Sequence, residues 1–365
     1  MEKLKSMSHA TRSKLITIGM VVVAYFVMTG LMSAGAVSNS TIGLLIPICA
    51  YSCLAISLNL VVGISGELSL GHAGFMSVGA FTGVVMAQML DGVIAADPMR
   101  LLVAMIAAAA MAALAGFLIG IPVMRLHGDY LAIVTLAFGE IIKNVLNNLW
   151  LGYDGDGLHV SMSNAAALNL EEGGKILING PQGASGIARL STFTAGVLLI
   201  LFTLIVVMNL VDSRSGRAIM AVRDNRIAAE SVGIDTTKYR LMAFVVSAAL
   251  AGMAGALYAQ NYTAIVPKKF DFNTSILILV FVVLGGMGNI RGGIISATLL
   301  TILPEKLRFI GDFRMLIYAV VLIGVMLVSN NEAVKAVVTN LTSRFRRKGA
   351  KKPAATAAKG GGENA

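Results

Sequence analysis

Apolar runs of bilayer length recur along this chain, and they constrain its fold more than any motif does. A helix needs about 20 apolar residues to cross the hydrocarbon core. Runs near that length lie at 15–32, 42–62, 72–90, 100–121, 131–150, 192–210, 241–260 and 313–329. Two shorter apolar pieces, 275–284 and 294–303, flank the glycine-rich break Gly285-Gly286-Met287-Gly288-Asn289-Ile290-Arg291-Gly292-Gly293. Each piece is short for a crossing, so together they read as two short spans, one kinked span or a re-entrant hairpin shielded by protein. The pattern predicts an all-α, polytopic helical membrane protein with about 8–10 transmembrane helices and broken or re-entrant segments.

Composition narrows the class further. Of the 365 residues 56% are hydrophobic and 13% charged, whereas a soluble domain carries about 25% charged residues. A soluble enzyme, a disordered protein and a secreted disulfide scaffold are excluded. Cys49 and Cys53 lie one helical turn apart within an apolar run and make no disulfide framework. The net charge of +10 resides mostly at the two ends and in one central loop. No surface combining aromatic and basic residues accompanies it, so no nucleic-acid partner is expected.

The basic residues instead report orientation, because loops rich in Lys and Arg stay on the cytoplasmic side. With ten crossings and the amino terminus inside, 20 of the 29 basic residues fall inside, 8 fall outside, and Lys143 lies within a span. Lys306, Arg308 and Arg314 are the outside cluster that fits least well. Eight crossings with a re-entrant pair is the neighbouring arrangement. Both termini are therefore expected in the cytoplasm of a bacterium, with the protein in its inner membrane. The expected domains are a cytoplasmic tail over 1–14, a transmembrane permease domain over 15–330 and a basic cytoplasmic tail over 331–365. The permease domain includes an outer loop at 151–191 and a cytoplasmic loop at 211–240. The first span is longer than a signal-peptide core, so Ala34-Gly35-Ala36 reads as the end of a retained helix.

The sequence contains no G-x-x-x-x-G-K-[S/T] phosphate loop, no H-E-x-x-H and no G-x-S-x-G elbow. His9, His72, His127 and His159 are scattered. Transport or conduction without a bound cofactor, rather than catalysis, is the reading for such a chain.

Three polar segments interrupt the apolar pattern. Residues 58–75, LNLVVGISGELSLGHAGF, place glycines, serines, Glu67 and His72 between two spans. This is either a broken segment whose freed peptide groups hold a polar solute or a glycine-rich turn. A carboxylate inside a bilayer is costly, so Glu67 lies near the surface or has a partner. Residues 128–144, GDYLAIVTLAFGEIIKN, carry Glu140 and Lys143 three apart, on one helical face. They face a solute pathway or seal two helices together, and the second reading is preferred. Asn59, Ser69, His72, Thr135 and Glu140 are the candidates for the solute path. The third segment, 212–235, is too polar to span but repeats Ala218, Ile219, Val222, Ile227 and Val232 at helical intervals. It predicts one or two short amphipathic helices ended by Gly233, fitted to a groove on a soluble partner or to acidic lipid.

These segments, with KYRLMAFVVSAALAGMAGALYA and LVFVVLGGMGNIRGGIISATLLTILPEKLR, closely resemble the LivM-type permeases of branched-chain amino-acid ABC importers. The likeness runs in order from about residue 44 to 330. It implies a heterodimer with a LivH-type permease, two cytoplasmic ATPase subunits that bind the ATP, and a periplasmic solute-binding protein. It also implies that the third segment docks on the ATPase through Arg217, Asp224, Glu230 and Gly233. The outer-loop piece Gly180-Pro181-Gln182-Gly183-Ala184-Ser185-Gly186-Ile187 resembles the family's Thr-Gly-Gly-rich piece but lacks the threonine and the second glycine. Related permeases for urea, short amides or sugars, and a standalone secondary transporter, are the rival readings.

Overall fold

The computed structural model describes residues 9–35, 37–126, 128–155, 157–170, 174–307, 311 and 313–330. His127, Arg308, the first residues of the amino-terminal tail and the 331–365 tail lie outside the described residues. Residues 1–308 form one compact unit, and 309–365 a second.

Every apolar run becomes a helix. In the first unit these are α1 (His9–Ser33), α2 (Asn39–Asn59), α3 (His72–Met89), α4 (Asp97–Val123), α5 (Asp129–Asn147), α6 (Phe193–Asp212) and α9 (Thr236–Ala259). The two short pieces form separate helices, α10 (Phe272–Gly285) and α11 (Ile290–Lys306). The turn between them uses Gly286 and Gly288, both with positive φ, a conformation glycine adopts without penalty. The amphipathic segment folds as α7 (Arg214–Asp224) and α8 (Arg226–Ser231). In the second unit, α12 spans Arg314–Asn330. By length and composition five helical stretches among the described residues suffice to cross a membrane: Lys14–Ser33, Ser40–Ile64, Asp97–Val123, Phe193–Asp212 and Thr236–Ala259. The protein is an all-α polytopic membrane protein.

Small residues set the packing of its centre. Lipid offers no hydrophobic drive between helices, so close backbone approach supplies dispersion contact instead. α3, α4 and α9 meet along such a seam. A methyl group at Gly79 would overlap the Gly252 backbone, and one at Gly252 would reach Ala108 on α4. Outward faces of α4 and α6 stay apolar and exposed, at Leu102, Ile106, Leu114 and Leu118, and at Leu198, Phe202 and Ile205, as lipid-facing surfaces require.

The hydrogen bonds define two ends of the first unit. At one, Arg240 in the first turns of α9 meets the chain after α4, and the α10–α11 turn meets the end of α2. At the other, Ser191 before α6 donates to the Leu257 carbonyl of α9, and Gln88 of α3 donates to the Ser185 carbonyl.

The loop after α5 carries strands, which the helical reading of the sequence does not anticipate. β1 (Trp150–Asp154) pairs antiparallel with β2 (Gly157–Ser161) and β3 (Lys175–Asn179), in the order β2-β1-β3. Aromatic and β-branched residues favour the pleated surface, and the Asp154-Gly155-Asp156-Gly157 sequence supplies a hairpin signal. β4 (Ala184–Ser185) then pairs with β5 (Ala264–Ile265), fastening this loop to the segment after α9.

Candidate functional site: a helix break joined to a surface corner

The last turn of α2 widens at Leu60–Ile64 into a π turn, a feature that recurs at functional sites. The amide of Ser65 reaches back to the Leu60 carbonyl and that of Glu67 to the Val61 carbonyl, both at 3.0 Å. The chain reverses at the exposed Gly66, returns without regular structure and enters α3 at His72. Residues 58–75 are therefore a true break between helices, with the glycine-rich turn at its tip.

The break is held from several sides. Asn59 Oδ1 accepts from the Gly288 amide at 2.8 Å, joining α2 to the α10–α11 turn. Thr135 Oγ1 accepts from the Leu70 amide at 3.1 Å and donates to the Ala132 carbonyl. His72 Nε2 lies 2.7 Å from Ser57 Oγ, and Ser275 Oγ accepts from the Ala73 amide. Asn59, Ser69, His72 and Thr135 are thus all buried around one break, within the interior of this chain. Yet Asn59 Nδ2, Ser65 Oγ and Ser69 Oγ are buried with no hydrogen-bond partner among the described residues. Each such group costs about 1–3 kcal/mol, so the break is a costly arrangement.

Glu67, at the tip, has the partner its burial demands. Arg240 forms an ion pair with it: Nη2 donates to Oε2 at 2.7 Å, and Nε lies 2.5 Å from Oε1 without hydrogen-bond geometry. Arg240 also donates to the carbonyls of Met124 at 2.9 Å and Leu126 at 3.2 Å. One guanidinium therefore ties the break to α9 and to the chain leaving α4. The arginine side chain is 3% exposed and the glutamate 17%. The sequence offers no sign of this pairing, since the two residues are 173 positions apart.

α7 and α8 form a corner beside the break. Ser213, Asn225 and Asp235 cap α7, α8 and α9 by accepting from the amides of Gly216, Ala228 and Lys238. Gly233, with φ +83°, ends the corner. Ile219 and Val222 turn inward, whereas Ile227 is 81% exposed and Val232 75%. Glu230 Oε1 accepts from Arg226 Nε at 2.8 Å and Thr236 Oγ1 at 2.9 Å, stitching α8 to α9 across Gly233. Arg217 donates to the Asp212 carbonyl. Asp224 accepts twice from Arg223, at 3.0 and 2.8 Å, and a third Arg223 nitrogen donates to the Gly63 carbonyl at 3.3 Å. Nothing in the sequence singles out Arg223; it looks like one more charge in a polar loop.

Glu140 and Lys143 form the ion pair their spacing predicts. Glu140 Oε1 also accepts from the Phe272 amide at 3.1 Å, so the pair joins α5 to the start of α10. Asp271 caps α10 through the Thr274 amide, and the charge of Lys143 acts on it. Sequence reasoning misses Asp271, which lies in a loop without a motif. On α5, Ile141 and Val145 are exposed near this half-buried pair, and Tyr130 and Ile133 are exposed nearer the start of the helix. No group of three or more His, Cys, Asp or Glu placed to hold a metal ion occurs among the described residues.

Comparison with known proteins identifies the family. Residues 40–329 match the family described as the permease component of the branched-chain amino acid transport system. The chain is 35% identical over 260 residues to the high-affinity branched-chain amino acid transport system permease protein LivM of Escherichia coli. The LivM of Salmonella typhimurium is equally similar. In each case the alignment covers 68% of this chain and 58% of the relative. A probable LivM of Methanocaldococcus jannaschii is 25% identical over 250 residues, covering 60% of this chain and 67% of the relative. No solved structure matches the chain.

Proposed function

Since the chain belongs to the branched-chain amino acid transport permease family, we propose that it is the LivM-type membrane subunit of an ABC importer for aliphatic amino acids. Its partners are a LivH-type permease, two cytoplasmic ATPase subunits that bind the ATP, and a periplasmic solute-binding protein. The observation that carries this reading is the α7–α8 corner. Ile227 and Val232 stand out from a charged surface, while capped helices, the Glu230 stitch and Arg223 join that surface to α9 and to the helix break. A partner that pushes on the corner thereby acts on the centre of the chain.

In this reading the corner faces the cytoplasm, both termini lie there, and the sheet end faces outward across the inner membrane. Arg217, Asp224, Glu230 and Gly233 shape the docking surface. Asp224 does so with its largely exposed carboxylate, and Glu230 by fixing α8 against α9. Asn59, His72 and Thr135 shape the wall of the solute path by holding the break, and Ser69 is buried within it with a hydroxyl unpartnered among the described residues. Glu140, half-buried beside the open face of α5, is the candidate that contacts the charged head of a zwitterion. The apolar residues of that face accept its aliphatic side chain. ATP binding and hydrolysis in the partners drive exchange between outward and inward openings.

Uptake of labelled leucine, urea and ribose in a strain lacking this chain, with and without complementation, tests the assignment. Restored leucine uptake alone is the expected result. Restored urea or ribose uptake with no leucine uptake would instead assign the chain to one of the related permeases.

A further inference from the structure

We propose that Arg223 is the positioning residue through which α7 holds the helix break, and that the break is the part of this chain that moves when the corner is pushed. The coupling half of this inference rests on the ABC-importer reading; the mechanical half stands on the chain alone.

The π turn is what makes the contact available. A widened turn leaves carbonyl groups outside the regular helical pattern, and the Gly63 carbonyl is taken by Arg223 Nη1 at 3.3 Å. Asp224 fixes the rest of the guanidinium by accepting from Nε and Nη2. The aliphatic stem of Arg223 lies across Gly66, whose φ is +76°. A Cβ there would stand 2.6 Å from Arg223 Cγ, so the crossing requires glycine. On its other side Gly63 lies against Gly288, whose amide is held by Asn59. A single side chain thus connects α7, through one residue of the break, to the α10–α11 turn.

Hydrogen bonding is incomplete in the break, as it is at several other buried positions among the described residues. Asn59 Nδ2, Ser65 Oγ and Ser69 Oγ are buried and unpartnered within eleven residues of sequence. Buried polar atoms of this kind favour any second arrangement that supplies partners, and the contacts from Arg223 and from Arg240 to Glu67 oppose it. Both arginines belong to the corner or to the first turns of the helix that follows it. Displacing the corner loosens the hold on the break, and its rearrangement carries the α10–α11 turn with it.

Two measurements test this. The first is amide hydrogen exchange on the full chain in lipid nanodiscs. Arg223→Ala, and Arg223→Lys if the alanine variant fails to fold, should speed exchange at residues 60–67 by about tenfold, the scale of one lost charged hydrogen bond. Amides of 247–258 in α9 should be unchanged. Unchanged exchange at 60–67 overturns the proposal. The second is the number of solute molecules taken up per ATP by the complete complex in proteoliposomes. The same variant should retain ATP hydrolysis while that ratio falls at least about tenfold. Altered exchange with a normal ratio would make Arg223 a structural tie and overturn its coupling role. Absence of ATP-dependent uptake by the unsubstituted complex would overturn the importer reading, while the exchange result still decides the mechanical half.

Discussion

The α3–α4–α9 seam and the helix break at 60–71 are two neighbouring regions built on opposite rules. Glycine and alanine bring backbones into contact along the seam, and Gly79, Gly252 and Ala108 leave no space for an added carbon. In the break, glycine allows the chain to leave the helix and return, and polar atoms remain buried without partners. A well-packed interior has low compressibility and serves as the fixed frame. An irregular backbone with unmet hydrogen bonds gains partners by rearranging, and it is the part proposed to move. Both are rich in small residues, so composition alone does not separate them; backbone approach and polar satisfaction do.

Substitution separates them in a definite order. The largest effect is expected at the seam. Gly79→Val places bulk against backbone that has no side chain to move, and should cost at least about 3 kcal/mol, the upper end for overpacking. It should be seen as loss of folded protein on size-exclusion chromatography in detergent. A normally folded variant would mean the seam is not the rigid part.

Next is the ion pair at the tip of the break. Glu67→Gln removes the counter-charge of the buried Arg240 but keeps an accepting oxygen, so its cost falls below that of removing one partner of a buried pair outright, about 3–5 kcal/mol. Thermal unfolding in detergent should show this, and Glu67→Gln combined with Arg240→Met should recover much of the loss. A double variant no more stable than the single one would mean that the uncompensated arginine charge is not what destabilises Glu67→Gln.

Asn59→Leu should alter stability less. It removes the bond to the Gly288 amide but also removes an unpartnered buried nitrogen, so the loss and the gain offset to within about 1 kcal/mol. Uptake in complemented cells should nonetheless fall by about tenfold, as expected where misplacement rather than unfolding is the cause. A fall in stability equal to that of Glu67→Gln would place Asn59 in the frame instead.

The smallest effects on stability belong to the corner. Ile227→Asp changes an exposed side chain and should leave the unfolding temperature unchanged while abolishing co-purification of the ATPase subunits. Glu230→Ala should leave expression unchanged and uncouple hydrolysis from uptake, because α8 is then no longer stitched to α9. Normal co-purification in the first, or normal uptake in the second, would remove the corner from the coupling path.

Much of this organisation is legible in the sequence because membrane helices announce themselves by length and apolarity. The ten apolar stretches each become a helix and the short amphipathic helices end before Gly233, whereas the glycine break is shorter than read, because α10 runs to Gly285 and α11 begins at Ile290. The Glu140–Lys143 pair is also legible, since both residues sit on one helix face. What the sequence hides is long-range. Nothing local to Glu67 indicates Arg240, and nothing in the polar loop distinguishes Arg223 from its neighbours. The same limit applies to Asp271, which caps α10 beside the Phe272 amide that Glu140 of α5 accepts from. The strands at 150–179 are hidden for a different reason. Each is only five residues long, and Trp150 and Leu149 read as the end of a span, whereas α5 stops at Asn147.

If this chain is a conduit whose driving force enters through the α7–α8 corner, the membrane subunits should do no work by themselves. Accumulation of labelled leucine in proteoliposomes measures that directly, comparing the complete complex supplied with ATP and binding protein against this chain with its partner permease alone. Uphill accumulation is expected only with the ATPase subunits and ATP present. Uphill accumulation by the membrane subunits alone, driven by an ion gradient, would contradict the conduit reading.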